Sequence, residues 1–141
     1  MTLDDLIARY PGAVTFQFGD GPDLSSRLIA LVRSGAKTAT CGALRDFGDA
    51  GEPLPVVGRR DIVLGWDGVP EMVIETTEVT IRKFNEVGPD FALSEGENDS
   101  LLGWQTDHRA TVGRWVYWST RLREFRACIL SHLAYLGKER L

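Results

Sequence analysis

The chain has 141 residues, 43% of them apolar and 26% charged, with a net charge of −4. That is the length of one domain with a core of its own, and no run approaches the roughly 18 apolar residues of a membrane span. The composition excludes a disordered tail, and the acidic balance argues against a protein that coats long nucleic acid through many phosphate contacts.

The opening MTLDDLIARYPG has no basic start and no long apolar run, so it does not read as a secretory signal and a cytoplasmic location is expected. Residues 3–9 suit one or two helical turns, ended by Tyr10-Pro11-Gly12. Residues 13–18 read as a strand with Val14, Phe16 and Phe18 on one face. After the turn Gly19-Asp20-Gly21-Pro22, Asp23 is placed to cap a helix over 24–34. Leu24, Leu28, Leu31 and Val32 give it an apolar stripe, and Gly35 a C-cap. Residues 37–41 are β-prone. The stretch 46–59 is a Gly/Pro-rich loop of fourteen residues, a length that often borders a site.

Two strands are expected near 61–66 and 71–81, joined at Asp67-Gly68 by a hairpin turn. The stretch 84–98 is acidic and irregular. Asp99 or Ser100 suits the cap of a helix to about 112, with Leu101, Trp104, His108 and Val112 on one stripe. Leu122, Phe125, Ile129, Leu133 and Leu136 fit a helix from about 119 to 136, while 115–118 reads equally as a strand. With no repeat and no linker, residues 1–141 form a single α+β domain built on a small antiparallel sheet or barrel.

Charge is unevenly distributed. Residues 27–60 carry six basic residues against three acidic ones, 61–100 two against ten, and 101–141 seven against three. An acidic middle between basic flanks either lines a polar cleft or is solvated surface. Cys41 and Cys128 read as free thiols, and the two histidines, His108 and His132, form no zinc-type spacing with them.

Lys37 is the sharpest candidate for chemistry. Following a helix-ending glycine and set among small residues, it either loses solvation and acts as a base or holds an oxyanion or phosphate. The rival reading is an exposed lysine favoured by the helix dipole. Thr40, three residues on, offers a hydroxyl that needs a neighbouring base to become nucleophilic. In one continuous strand positions 37 and 40 face opposite ways, so the two meet only if Lys37 lies in the turn before the strand. Thr38 and Cys41 are rival hydroxyl and thiol candidates. Glu95, with Glu97 and Asp99, accepts a proton, orients Lys37, binds a hard cation, or belongs to a solvated loop. Trp66 and Trp104 offer stacking faces for a base or fill the core. His108 reads as packing before catalysis. Arg45, Arg59 and Arg60 border the long loop and either meet phosphate or are surface.

Taken in order, FQFGD (16–20), SGAKTAT (34–40), GEPLPVVG (51–58), GVPEMVIETTEV (68–79) and FNEVGPDFALSEGENDSLLGWQTDH (84–108) resemble the ASCH domain family. The resemblance covers about residues 14–108 and implies a PUA-like small β-barrel with flanking helices. Residues 115–141 depart from it: the family closes with a Cys-Glu-Arg-Phe-like strand, whereas the nearest echo, Arg123 to Cys128, lies in a segment of helical periodicity. Some related proteins hydrolyse the acetyl amide of N4-acetylcytidine, and by motif their lysine, threonine and glutamate fall on Lys37, Thr40 and Glu95. The resemblance thus implies a nucleobase or RNA cleft, with Thr38, Arg45, Arg59, Trp66 and Trp104 as substrate-binding candidates. Three activities stay open: amide hydrolysis of a modified nucleoside without cofactor, ribonuclease action with a divalent metal, and RNA binding without catalysis. The expected partner is a modified nucleoside or RNA, not a membrane; the oligomeric state is open.

Overall fold

The structure, a computed structural model, describes residues 2–43, 53–116 and 127–136. Helix α1 (Leu3–Arg9) begins with a capping box: the Thr2 hydroxyl accepts from the Asp5 N–H, and the Asp5 carboxylate accepts from the Thr2 N–H. It buries Leu6 against Tyr10, Ile62 and Val73. Strand β1 (Thr15–Phe16) is shorter than the expected 13–18, yet Phe18 beyond it is still buried as the alternation requires. The ladder stops early because the Val14 N–H is taken by the Asp61 carboxylate at 2.9 Å.

Helix α2 (Pro22–Ser34) starts earlier than expected. Gly21 is its N-cap and Pro22 stands in the first turn, where a missing N–H costs nothing; Asp23 is inside the helix. Gly35 ends it in the left-handed conformation, φ 83°. Leu28, Ile29 and Val32 pack on Phe18, Val63, Met72 and Ile74.

Strand β2 (Ala39–Ala43) follows, then β3 (Arg60–Leu64) and β4 (Pro70–Lys83). Asp67-Gly68 forms the turn between the last two, with the Val69 N–H on the Asp67 carboxylate. A short 3-10 turn (Phe84–Glu86) and helix α3 (Pro89–Ser94) occupy the stretch expected to be irregular. Helix α4 (Leu101–Val116) is capped by the Ser100 hydroxyl, which accepts from the Gly103 N–H at 3.0 Å. It runs past the expected end at 112, through Trp115 and Val116, where a strand was the other reading.

The last described element corrects the expected helix over 119–136: residues Ala127–Tyr135 are strand β5. It lies inside the sheet, between β4 and β2, in the order β1-β3-β4-β5-β2. Cys128 and Leu130 enter one core while Ile129 and Leu133 face the other side. A strand apolar on both faces loses its two-residue alternation, and its remaining spacing imitates a helix. Leu122 and Phe125 of the expected stripe lie outside the described residues.

β1 and β3 are parallel and the other pairs antiparallel. A register shift between Thr76 and Glu78 marks a bulge in β4, which lets this long strand bend while pairing with both β3 and β5. By strand alternation, α1 covers one end of one sheet face, and α3 with α4 cover the other end around Trp104. The opposite face carries α2. Among the described residues the sheet is not closed into a barrel, and the fold is a mixed α+β sheet with helices on both faces. No helix among them is long and apolar enough to cross a membrane.

Leu6 is completely buried and is the main attachment of α1 to the sheet. Leu6→Ala is expected to lower unfolding stability by about 2–5 kcal/mol in denaturant titration, the range for a cavity left in a packed core.

Candidate functional site

The chain places Lys37 in the turn between α2 and β2. Its N–H donates to the Leu31 carbonyl at 3.0 Å, and the next N–H, of Thr38, donates to the Ser94 carbonyl at the end of α3 at 2.7 Å. The second of these bonds fastens the end of α3, and with it the acidic loop, onto the lysine. Gly96 makes the fit possible: with φ 74°, it lies so close that a Cβ there would stand 2.9 Å from the Lys37 nitrogen and closer still to the Ala36 carbonyl.

Under this loop Lys37 is buried, 3% exposed. Its ammonium lies 3.1 Å from the Glu97 carboxylate and 3.7 Å from that of Glu95, and donates to the Glu95 backbone carbonyl at 3.3 Å. Phe18 presents its ring 5.9 Å away. A buried charge needs such company, since removing it from water unpaired costs several kcal/mol.

Glu95 is equally enclosed, and its second oxygen has partners of its own. The Trp104 indole N–H donates to it, and the His108 Nε2 lies 3.3 Å away. The other ring nitrogen of His108 donates to the Trp104 carbonyl at 2.8 Å. Burial by itself would raise the Glu95 pKa, but the His108 hydrogen bond and the Lys37 charge outweigh it and hold the pKa below the usual value. Burial likewise opposes a charge on His108, but the Glu95 bond and charge outweigh it and raise its pKa. Glu95 is therefore held as a carboxylate between the Lys37 ammonium and the His108 ring.

Beside this cluster, Cys41 and Cys128 are free thiols in contact across β2 and β5. The hydrogen bond to Cys128, with burial, pushes the Cys41 thiol up; that same bond, against burial, lowers Cys128.

A cavity of about 620 Å³ opens on the α2 side of the sheet, with Phe18, Thr40, Trp66 and Arg59 in its wall. Phe18 thus borders both this space and the Lys37 ammonium.

Lys37 and Glu95, distant in sequence, meet as an ion pair. The turn position of Lys37 meets the condition under which Thr40 can share its side, but among the described residues no hydrogen bond joins Thr40 to Lys37 or Glu95. Thr38 is exposed, its hydroxyl 3.4 Å from the Ser94 carbonyl. Arg59 is held by both oxygens of Asp61 at 2.8–3.0 Å and by the Leu54 carbonyl, so little of it is left for phosphate. Trp66 is 43% exposed and keeps a face for a ligand. Trp104 is completely buried, stacked on Phe84 and on His108, so no face is left for a base. Arg45 lies outside the described residues. Among the described residues no group of three or more His, Cys, Asp or Glu is arranged to hold a metal ion. Lys37 itself fills the space between Glu95 and Glu97.

Sequence reasoning gave Glu97 and His108 lesser roles and passed over Gly96. The spacing Glu95, Trp104, His108 was the available signal: the last two are one turn apart on α4, so both side chains reach one point.

A helix-flanked mixed sheet that buries a lysine–glutamate pair at the start of an edge strand defines the class of protein. The ASCH domain model matches residues 14–128, and the chain belongs to that family. It is similar to the solved ASCH domain of Lactobacillus crispatus JV V101, with 32% identity over 93% of this chain and 84% of that one, TM-score 0.76. A solved protein from Enterococcus faecalis V583 is similar at 27% identity over 94% of this chain and 88% of that one, TM-score 0.76. No curated protein matches the chain.

Two outcomes test the cluster. Gly96→Ala is expected to destabilise the protein by more than about 1 kcal/mol, since a left-handed residue gains a side chain that meets backbone; circular dichroism melts check this. The charge pair has a pH signature. Glu95, its pKa lowered, adds stability that is complete above 4.5 and is lost as pH falls through the lower folded value. His108, its pKa raised, adds stability that is complete below 6.5 and is lost as pH rises through the higher folded value. The melting-temperature advantage of the wild type over His108→Gln is therefore expected to peak between these values and fall on both sides. An advantage independent of pH would contradict a charged His108.

Proposed function

We propose that this ASCH-domain protein hydrolyses the acyl amide of a modified nucleoside of the N4-acetylcytidine type. The family is in general RNA-binding or hydrolase-like. The observation that carries the hydrolase reading is the Lys37–Glu95 pair, sealed from solvent and set beside Phe18 at a cavity of about 620 Å³, within the usual range for a small-molecule site. A buried cation beside a cavity suits charge that develops during a reaction.

In this reading the Thr40 hydroxyl attacks the amide carbonyl. The Lys37 ammonium gives a proton to the leaving nitrogen and, as the amine this leaves, takes the hydroxyl proton, so the nucleoside departs as a neutral amine and the ammonium is restored. Water then attacks the acyl-threonine ester, its proton passes through Lys37 to Thr40, and the carboxylic acid leaves. Glu95 stays a carboxylate throughout and, with Glu97, holds the ammonium in place. The reaction requires Thr40 and Lys37 to come within hydrogen-bond reach when substrate is bound, a tightening common between free and occupied sites. Long RNA is less favoured as a substrate: Arg59, the one base among the described cavity residues, is already paired with Asp61.

Incubation with N4-acetylcytidine is expected to release cytidine and acetate, followed by chromatography. Lys37→Met and Thr40→Val are each expected to lower kcat by about 100-fold or more, the usual loss with a proton-transfer group or nucleophile. No turnover by folded wild-type protein would overturn the reading.

A further inference from the structure

Besides Thr40 and the exposed Thr15, the cavity wall holds two buried hydroxyl residues that the sequence did not single out. Ser131 on β5 is the direct cross-strand partner of Thr40. Thr76 on β4 pairs with Leu133, two residues along β5 from Ser131 and so on the same face. Both line the cavity while being only 3% and 4% exposed. Their backbones are fixed: the Thr76 N–H donates to the Arg59 carbonyl, and its own carbonyl accepts from the Gly58 N–H at 2.8 Å. Yet among the described residues the side-chain hydroxyls of Thr40, Thr76 and Ser131 make no hydrogen bond. Thr76 and Ser131 are buried residues and Thr40 is half-buried, and their hydroxyls, unpaired among the described residues, are free to meet a ligand from one face of the cavity.

The charges of the wall say what kind of ligand. The charged groups among its described residues are Arg59 and Asp61, which neutralise each other. A net charge brought into this space would find no counter-ion on the described wall. A hydroxyl donates or accepts as its partner demands, so a row of three suits a planar edge carrying both carbonyl and amino groups. Trp66, half-exposed at the wall, supplies a face on which such a ring can stack.

We infer that Ser131 and Thr76 are specificity-determining residues that, with Thr40, hydrogen-bond the polar edge of a neutral nucleobase in this cavity. The inference rests on the nucleoside reading above and narrows it: the ligand is recognised by its base rather than by a phosphate. Neither residue takes part in proton transfer. Both act on binding, not on the chemical step.

The test is calorimetric titration of the full chain with cytidine, uridine and cytidine 5′-monophosphate, for the wild type and for Ser131→Ala, Thr76→Val and Thr76→Ser. Melting curves confirm that each variant is folded. Loss of either hydroxyl is expected to weaken cytidine binding about five- to tenfold, one hydrogen bond's worth. Thr76→Ser, which keeps the hydroxyl, is expected to stay within about twofold of wild type, and the monophosphate to bind no more tightly than the nucleoside. With N4-acetylcytidine as substrate, Ser131→Ala raises KM and leaves kcat within about threefold. Cytidine affinity unchanged in both Ser131→Ala and Thr76→Val overturns the inference, as does absence of nucleoside binding at millimolar concentration or a clear preference for the monophosphate. Hydroxyl-dependent binding without amide cleavage upholds the inference and removes the hydrolase reading. Cleavage with a KM indifferent to both hydroxyls does the reverse.

Discussion

The Lys37 ammonium is a full charge taken out of water, and much of this fold is the answer to that cost. An unpaired ion in such a place is untenable, and loss of one member of a buried pair typically destabilises by about 3–5 kcal/mol. Here the ion is met by Glu97, Glu95 and a backbone carbonyl. Glu95 needs donors in turn and finds them on α4, in Trp104 and His108. Each partner therefore determines where another element must lie. The loop after α3 must fold over the start of β2, which Gly96 permits and the Thr38–Ser94 bond fastens. Helix α4 must present two consecutive turns of one face to the same carboxylate. Packing around Trp104 brings α3, α4, β2 and β5 together, so the charged cluster and this core stabilise one arrangement jointly.

Two neighbouring regions at the β2 edge have different chemistry. At the start of β2 lies a closed cluster of fixed charges, and beside it on the α2 face opens a space whose walls carry neutral hydroxyls, aromatic rings and a self-compensated ion pair. Strand β2 joins them. It begins just after the lysine and, by its two-residue period, sends Ala39 and Cys41 toward the core around Trp104 while Thr40 faces the cavity. A group that meets solvent and ligand is thus one short turn from a group that meets neither. That arrangement separates recognition, which works with uncharged polar atoms, from polarisation, which works with a charge protected from screening.

Local signals in the sequence translated into structure where local physics decides. Gly35 ends α2, Asp67-Gly68 turns the β3–β4 hairpin, and the run before Thr40 is a turn because a left-handed glycine precedes it. The pairing of Lys37 with an acidic loop nearly sixty residues away was readable only as a list of candidates, since sequence carries residue types and no distances. Strand β5 was not readable at all. Its Ile129 and Leu133 lie four apart, as on a helix, but they are alternate residues of a strand buried on both sides, and only the sheet order shows why. Ser131 and Thr76 were invisible for a related reason: a serine and a threonine in apolar strands look like ordinary composition until the register puts them on one face with Thr40. Trp104 illustrates the opposite error. Its stripe position was right, but a side chain clamped between Phe84 and His108 supports the site from behind and does not line it.

The family match ends at Cys128, and this boundary falls inside the site. Lys37, Thr40, Glu95, Trp104 and His108 all precede it, so the charged cluster belongs to the part of the chain that the family model describes. Ile129, Ser131 and Leu133, which form the β5 wall of the cavity, follow it. The backbone of that strand is still demanded by the sheet, because β2 has no other partner among the described strands. On the cavity side Ile129 and Ser131 are buried and Leu133 packs against the core under α2, so this wall is both packed and ligand-facing. Removal of a hydroxyl from this wall changes what can be held there, whereas substitutions around Lys37 leave a buried charge without its partner.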